Sequence, residues 1–209
     1  MLNKEVFGFA ALFLLVGFSC FFGQSKPVEI QEIIEFQSNL NKEYLDKETT
    51  PLRGENFRNF KEHPFFPINL KYRVEAKLER LEKEVKVDFP TSSGKSKTYR
   101  LYAKAHFVLD GKPQILSIYQ SEALMNDPQY KDYLFLPYRD LTAGKSTYGG
   151  GKYIDLRIPK GETIVLDFNK SYHPYCAYNA VDYSCPIVPK ENELLVRIPA
   201  GVKYKAVYY

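Results

Sequence analysis

Apolar residues recur along this chain with two different periods. Between Pro27 and Asp46, Ile30, Ile33, Ile34, Leu40 and Tyr44 fall at helical spacing. Pro27 and the early glutamates mark an N-terminus there, so residues 24–47 are expected to hold one amphipathic helix. The next stretch, "DKETTPLRGENFRNFKEHPFFPINL", is irregular and interrupted by proline. It leaves room for one helical turn at Asn56–Phe60, with Phe57, Phe60, Phe65 and Phe66 as anchors.

From Leu70 the period becomes two. Leu70, Tyr72, Val74, Ala76 and Leu78 share a face, and so do Leu101, Ala103, Ala105, Phe107 and Leu109. Asp110-Gly111 then turns the chain, and Ile115–Tyr119 returns as a hairpin partner. "DYLFLPYRD" reads as a further short strand. "YIDLRIPKGETIVLDF" and "LLVRIPAGVKYKAVYY" each place "RIP-x-G" between two alternating runs, which predicts a hairpin in each. Eight to ten short strands, one N-terminal helix and no βαβ rhythm give a mainly β fold, an antiparallel sandwich or an open barrel. Residues 48–209 are expected to form it as one domain.

Two features of composition change this picture. Tyrosine (17) and phenylalanine (15) are abundant, which suits strands, and tryptophan is absent. The net charge of +4 comes without a dense basic block, and "KLERLEKEVK" alternates in sign, so no nucleic-acid footprint is present.

The start of the chain is different in kind. One lysine precedes the uncharged run Phe7–Phe22, and "GQSKP" follows. That reads as a secretory signal over residues 1–23 rather than a membrane span, which predicts export to the periplasm or cell envelope with no transmembrane segment left in the mature chain. Cys20 lies in "VGFSC", where the aliphatic Val16 is one place too far upstream for lipoprotein processing. A lipid anchor at Cys20 is therefore the weaker expectation.

Loss of Cys20 with the signal leaves an even pair, Cys176 and Cys185. Both lie in Asn169–Asn192, a connection without any period, longer than compact domains ordinarily carry. An exported pair enclosing eight residues is expected to be a disulfide. The spacing is not that of a zinc site, and no metal or other cofactor is expected. His173, three residues before Cys176, leaves open a thiol activated by an imidazole.

Three glycines, Gly149 to Gly151, follow Tyr148. No helix pattern follows them, so a tight turn or bulge is preferred to a phosphate cradle. Asp140 and Asp167 end strands beside the two unusual loops. They either hold loop N–H groups, the preferred reading, or form an acidic cluster for a cation or for acid–base work. Asp155 and Arg157 alternate with Ile154 and Leu156 and read as a surface pair, while His63 and His106 read as ordinary loop and sheet-surface residues.

Taken together, "YLFLPYRDLTAGKSTYGGGKYIDL", "LDFNKSYHPYCAYN" and "SCPIVPKENELLVRIPAG" resemble the bacterial family catalogued as domain of unknown function 1684, in its shorter secreted form. The resemblance spans about Pro27–Tyr209 and implies no activity. It groups Asp140, Tyr148, Gly149, Gly151, Asp167, Asn169, Cys176, Tyr178, Asn179 and Cys185 in one constellation. His173 departs from the family pattern, which carries asparagine there. The functional expectation is a tyrosine-lined pocket for a small polar or sugar-like ligand, with a hydrolase using Asp140 and Asp167 as the alternative.

Overall fold

A computed structural model describes residues 27–207. The expected signal, Met1–Gly23, and Cys20 lie outside the described residues. Helix α1 (Val28–Leu45) buries Ile33, Leu40 and Tyr44, and the short α2 (Gly54–Asn59) follows it. No described helix is long and apolar enough to cross a membrane.

Seven antiparallel strands follow: β1 (Arg73–Arg80), β2 (Lys86–Pro90), β3 (Ser96–Leu109), β4 (Lys112–Ser121), β5 (Tyr133–Tyr138), β6 (Lys152–Arg157) and β7 (Thr163–Asp167). They make one sheet in the order β6-β5-β4-β3-β1-β7, with β2 paired to β3. The sheet curls into a half-barrel, so the open-barrel form of the expectation is the one adopted.

The β3–β4 hairpin is the longest ladder, and its turn is the one expected. Asp110 (φ 54°) and Gly111 (φ 71°) both take left-handed backbone, which matches the twist of the two strands. A bulge at Tyr102 then alters the expected face. Past it, Ala103, Ala105 and Phe107 enter the main core with Leu116, Ile118, Leu134, Leu136, Ile154 and Leu166. Before it, Tyr99 and Leu101 join Phe89, Tyr119, Phe135 and Tyr153 in a second, aromatic cluster. One extra residue in a strand inverts the alternation, which is why Leu101 parts from Ala103.

Neither "RIP-x-G" segment is a hairpin. The strands flanking the first, β6 and β7, do not pair with each other and stand at opposite ends of the strand order, β6 beside β5 and β7 beside β1. Among the described residues, the stretch after Glu193 contains no strand, although Ile198, Ala200 and Val202 are fully buried. Pro199 has no N–H to donate to a ladder. The carbonyls of Ile198 and Ala200 instead accept from the Lys152 ammonium at 3.0 and 3.4 Å. The segment is held by a side chain rather than by a neighbouring strand.

A pocket between helix and sheet

The expected site residues fall into three separate arrangements. Asp140 is buried against Lys152, with Oδ2 2.9 Å from Nζ. Its Oδ1 accepts the N–H groups of Thr142 (2.7 Å) and Ile198 (3.3 Å). Asp167 accepts from the Asn169 backbone and side chain at 3.0 and 2.9 Å, and Asn169 in turn clasps both backbone groups of Asn69 at 3.0 Å. Each aspartate thus has its own partners and holds backbone N–H groups in place.

The glycine loop closes tightly on the sheet. At Gly151 (φ 99°) a Cβ would lie 2.6 Å from the Tyr138 carbonyl oxygen and 2.7 Å from Val188 Cγ2, so close backbone approach explains the glycine. Gly149 has ordinary spacing around it.

The third arrangement is aromatic. The Tyr148 N–H donates to His173 Nε2 at 3.3 Å, which leaves the proton on Nδ1 for the Tyr178 hydroxyl at 3.1 Å. Burial, assisted by the Lys152 charge, lowers the His173 pKa to about 3, so the ring is neutral. Asn179 builds a turn by accepting from Val181 and Asp182 and donating to Pro51.

Cys176 and Cys185 are buried free thiols, not the expected disulfide. The Cys176 N–H donates to Cys185 Sγ at 3.2 Å, so the sulfur is engaged as an acceptor. Hydrogen bonding from Cys185 also holds the Cys176 thiol below its usual range. Among the described residues, no group of three His, Cys, Asp or Glu side chains is placed to hold a metal.

A cavity lies elsewhere, between α1 and the aromatic face of the sheet. It encloses about 440 Å³. Phe36, Asn39, Leu40 and Glu43 of α1 form one wall, and their spacing of three, four and seven puts them on one helical face. Tyr153, Asp155, Tyr172, Tyr175 and Tyr183 form the other, with Lys97 and Cys185 at one end. The rings stand in perpendicular pairs, Tyr153 with Tyr172 (centroids 6.1 Å apart) and Tyr175 with Tyr183 (5.0 Å).

Two carboxylates reach this cavity. Asp155 Oδ1 accepts from the hydroxyls of Tyr133 and Tyr172, both at 2.7 Å. Glu43 Oε1 accepts from the Tyr175 hydroxyl. Among the described residues, Asp155 Oδ2 and Glu43 Oε2 have no hydrogen-bond donor. Burial raises the pKa of both groups, and the negative charge of Asp155 raises Glu43 further. Asp155 meets water through the cavity while protein crowds it on its other sides, so it is both solvent-accessible and poorly solvated. The tyrosine pKa values are raised in turn, which keeps these hydroxyls protonated as donors.

Asp155 does occupy the face opposite Ile154, as its position predicts. That face is partly covered, because the connection after β7 doubles back and pairs Tyr172 with Tyr153, while Asp155 itself stays exposed to the cavity. Arg157 pairs with Asp132 at 2.8 Å instead of with Asp155. Glu43 carries one usable signal in the sequence, its helical register with Phe36 and Leu40.

A second cavity of about 360 Å³ shares Asp155. It lies between the edge strands β6 and β7 and is lined by Glu32, Arg73, Arg157, Asp167 and Lys170. Its charges are largely paired: Lys170 is 3.1 Å from Glu32, and Arg73 is 3.6 Å from Asp167.

Among curated proteins, none matches the chain. Among solved structures, an uncharacterised protein of Haloarcula marismortui, determined by NMR in solution, is similar. It is 31% identical with a TM-score of 0.63, and the match covers 84% of this chain and 97% of that one. The family model described as "Protein of unknown function (DUF1684)" matches residues 58–203, which take in Asp155 and the four tyrosines of the cavity. The half-barrel, its glycine loop and its tyrosine-rich connection are therefore those of a member of the DUF1684 family.

Proposed function

We propose that this is an exported small-molecule-binding protein, with the cavity between α1 and the sheet as its binding site. The observation that carries this reading is a concavity of about 440 Å³ walled by four tyrosines, into which two partly bonded carboxylates project. Ligand pockets are of this size and are lined in this way, with a few polar groups set in aromatic walls. The expected ligand is small, polar and partly apolar. Export is supported by the apolar run Phe7–Phe22, and intact mass of the protein recovered from its host is expected to show a start near Gln24. A mass retaining Met1 would count against export.

Ligand-observed NMR tests the pocket, using panels of neutral monosaccharides, small organic cations and small carboxylates. At least one class is expected to bind. Asp155→Asn keeps an oxygen for both tyrosine hydroxyls but removes the charge, and it is expected to weaken that binding at least about tenfold, or 1.4 kcal/mol. Binding that ignores Asp155→Asn, or no binding from any panel, would remove the pocket as the site. Hydrolysis through Asp140 and Asp167 is the second reading; each of these carboxylates also accepts a backbone N–H.

A further inference from the structure

Resting on that reading of the pocket, we infer that its ligand is an organic cation, an amine or quaternary ammonium group held between tyrosine rings and the carboxylates of Glu43 and Asp155. The rings favour positive charge. Tyr153 and Tyr172 are perpendicular (88°), and so are Tyr175 and Tyr183 to within a similar tilt (73°). In each pair the edge of one ring meets the face of the other, so rings in two orientations line the same cavity. A cation gains from each face it meets, and more so where water is excluded.

The carboxylates select the same charge. Glu43 and Asp155 come from elements far apart in sequence, yet each leaves one oxygen without a donor at the same cavity. Their like charges oppose each other in a poorly solvated place. A neutral polyol can donate hydrogen bonds to both oxygens but cannot relieve that repulsion. A positive group does both.

The remaining charged groups are compatible with this. Lys97 lines the cavity at the Cys185 end, where its ammonium acts on that sulfur. Arg157 acts on Asp155 from outside but is paired with Asp132. The cavity lining therefore holds two carboxylates against one ammonium. A hard divalent ion would want six or more oxygens, which aromatic walls do not supply. An alkylammonium needs no such cage.

The test compares choline with its uncharged carbon isostere, 3,3-dimethylbutan-1-ol, by NMR titration of the wild-type protein. The two probes share shape and hydroxyl and differ in charge. Choline is expected to bind at least about tenfold more tightly, and the preference is expected to vanish in Glu43→Gln/Asp155→Asn. It is also expected to shrink as the solution is acidified and protons reach the two carboxylates, whose pKa values burial raises. Equal binding of the two probes would overturn the inference and leave the pocket reading intact. Failure of choline to bind would also overturn it, and the monosaccharide and carboxylate panels would then decide whether the pocket binds anything.

Discussion

Lys152→Met is expected to lower the free energy of unfolding by about 3–5 kcal/mol, because it strands a buried carboxylate. Met retains most of the side-chain volume, so the loss is electrostatic. The Lys152 and Asp140 side chains are 1% and 0% exposed, and their charged atoms are 2.9 Å apart. The same ammonium donates to the Ile198 and Ala200 carbonyls and lies 5.1 Å from the centre of the Tyr138 ring. Burial pulls the lysine pKa down, and Asp140 pulls it back part of the way. Without the lysine, Asp140 loses its counter-charge and the C-terminal segment loses its tether. Urea denaturation with linear extrapolation gives the difference. Adding Asp140→Asn to Lys152→Met is expected to restore part of the stability, since the stranded charge is then gone while an oxygen remains for Thr142 and Ile198. A single variant within about 0.5 kcal/mol of wild type would show that the pair is not what holds this region.

Acidification is expected to destabilise the protein by about 4 kcal/mol between pH 7.5 and pH 5, from two histidines alone. His63 and His173 are 3% and 1% exposed, and burial lowers each pKa to about 3. The unfolded chain takes up these protons near pH 6.5, whereas the folded one resists them. Their contribution is therefore complete above about pH 6.5 and is lost as pH falls from there toward the folded value, at about 1.4 kcal/mol per unit for each ring. Glu43 and Asp155 act in the opposite sense. Their raised pKa values let the folded state bind protons first, so they offset part of the loss. Urea midpoints across this range measure the sum. His173→Asn can still accept from Tyr148 and donate to Tyr178, and it is expected to remove about half of the histidine slope. An unchanged slope in that variant, or a flat profile in wild type, would contradict a histidine origin.

Much of the scaffold is legible in the sequence because local chemistry and tertiary packing agree on it. The Asp110-Gly111 turn, the period-two face of β1 and the stripe on α1 all express rules that act within a few residues. The C-terminal run departs from its pattern for the opposite reason. Its alternation is real and its apolar residues are buried, but a lysine more than forty positions away takes the carbonyls that a ladder would need. Nothing local in "GGGKYID" marks Lys152 as buried. Asp155 is hidden by a related effect. Alternation places it correctly on the face opposite Ile154, yet says nothing about whether a second layer covers that face. The long connection after β7 stands out by its length and lack of period, but the side of the sheet it covers, and its meeting with α1, are set by contacts between distant segments.

The charged seam between β6 and β7 bears on how the molecule behaves in a crowd. A half-barrel, unlike a closed one, keeps two edge strands, and an exposed edge invites another chain to add a strand. Here the invitation is withdrawn. Arg73, Arg157 and Lys170 share the seam with Glu32, Asp155 and Asp167. An incoming strand would have to strip water from these six charges and disrupt the pairs among them. Self-association through this edge is opposed by the same residues that let the barrel stay open.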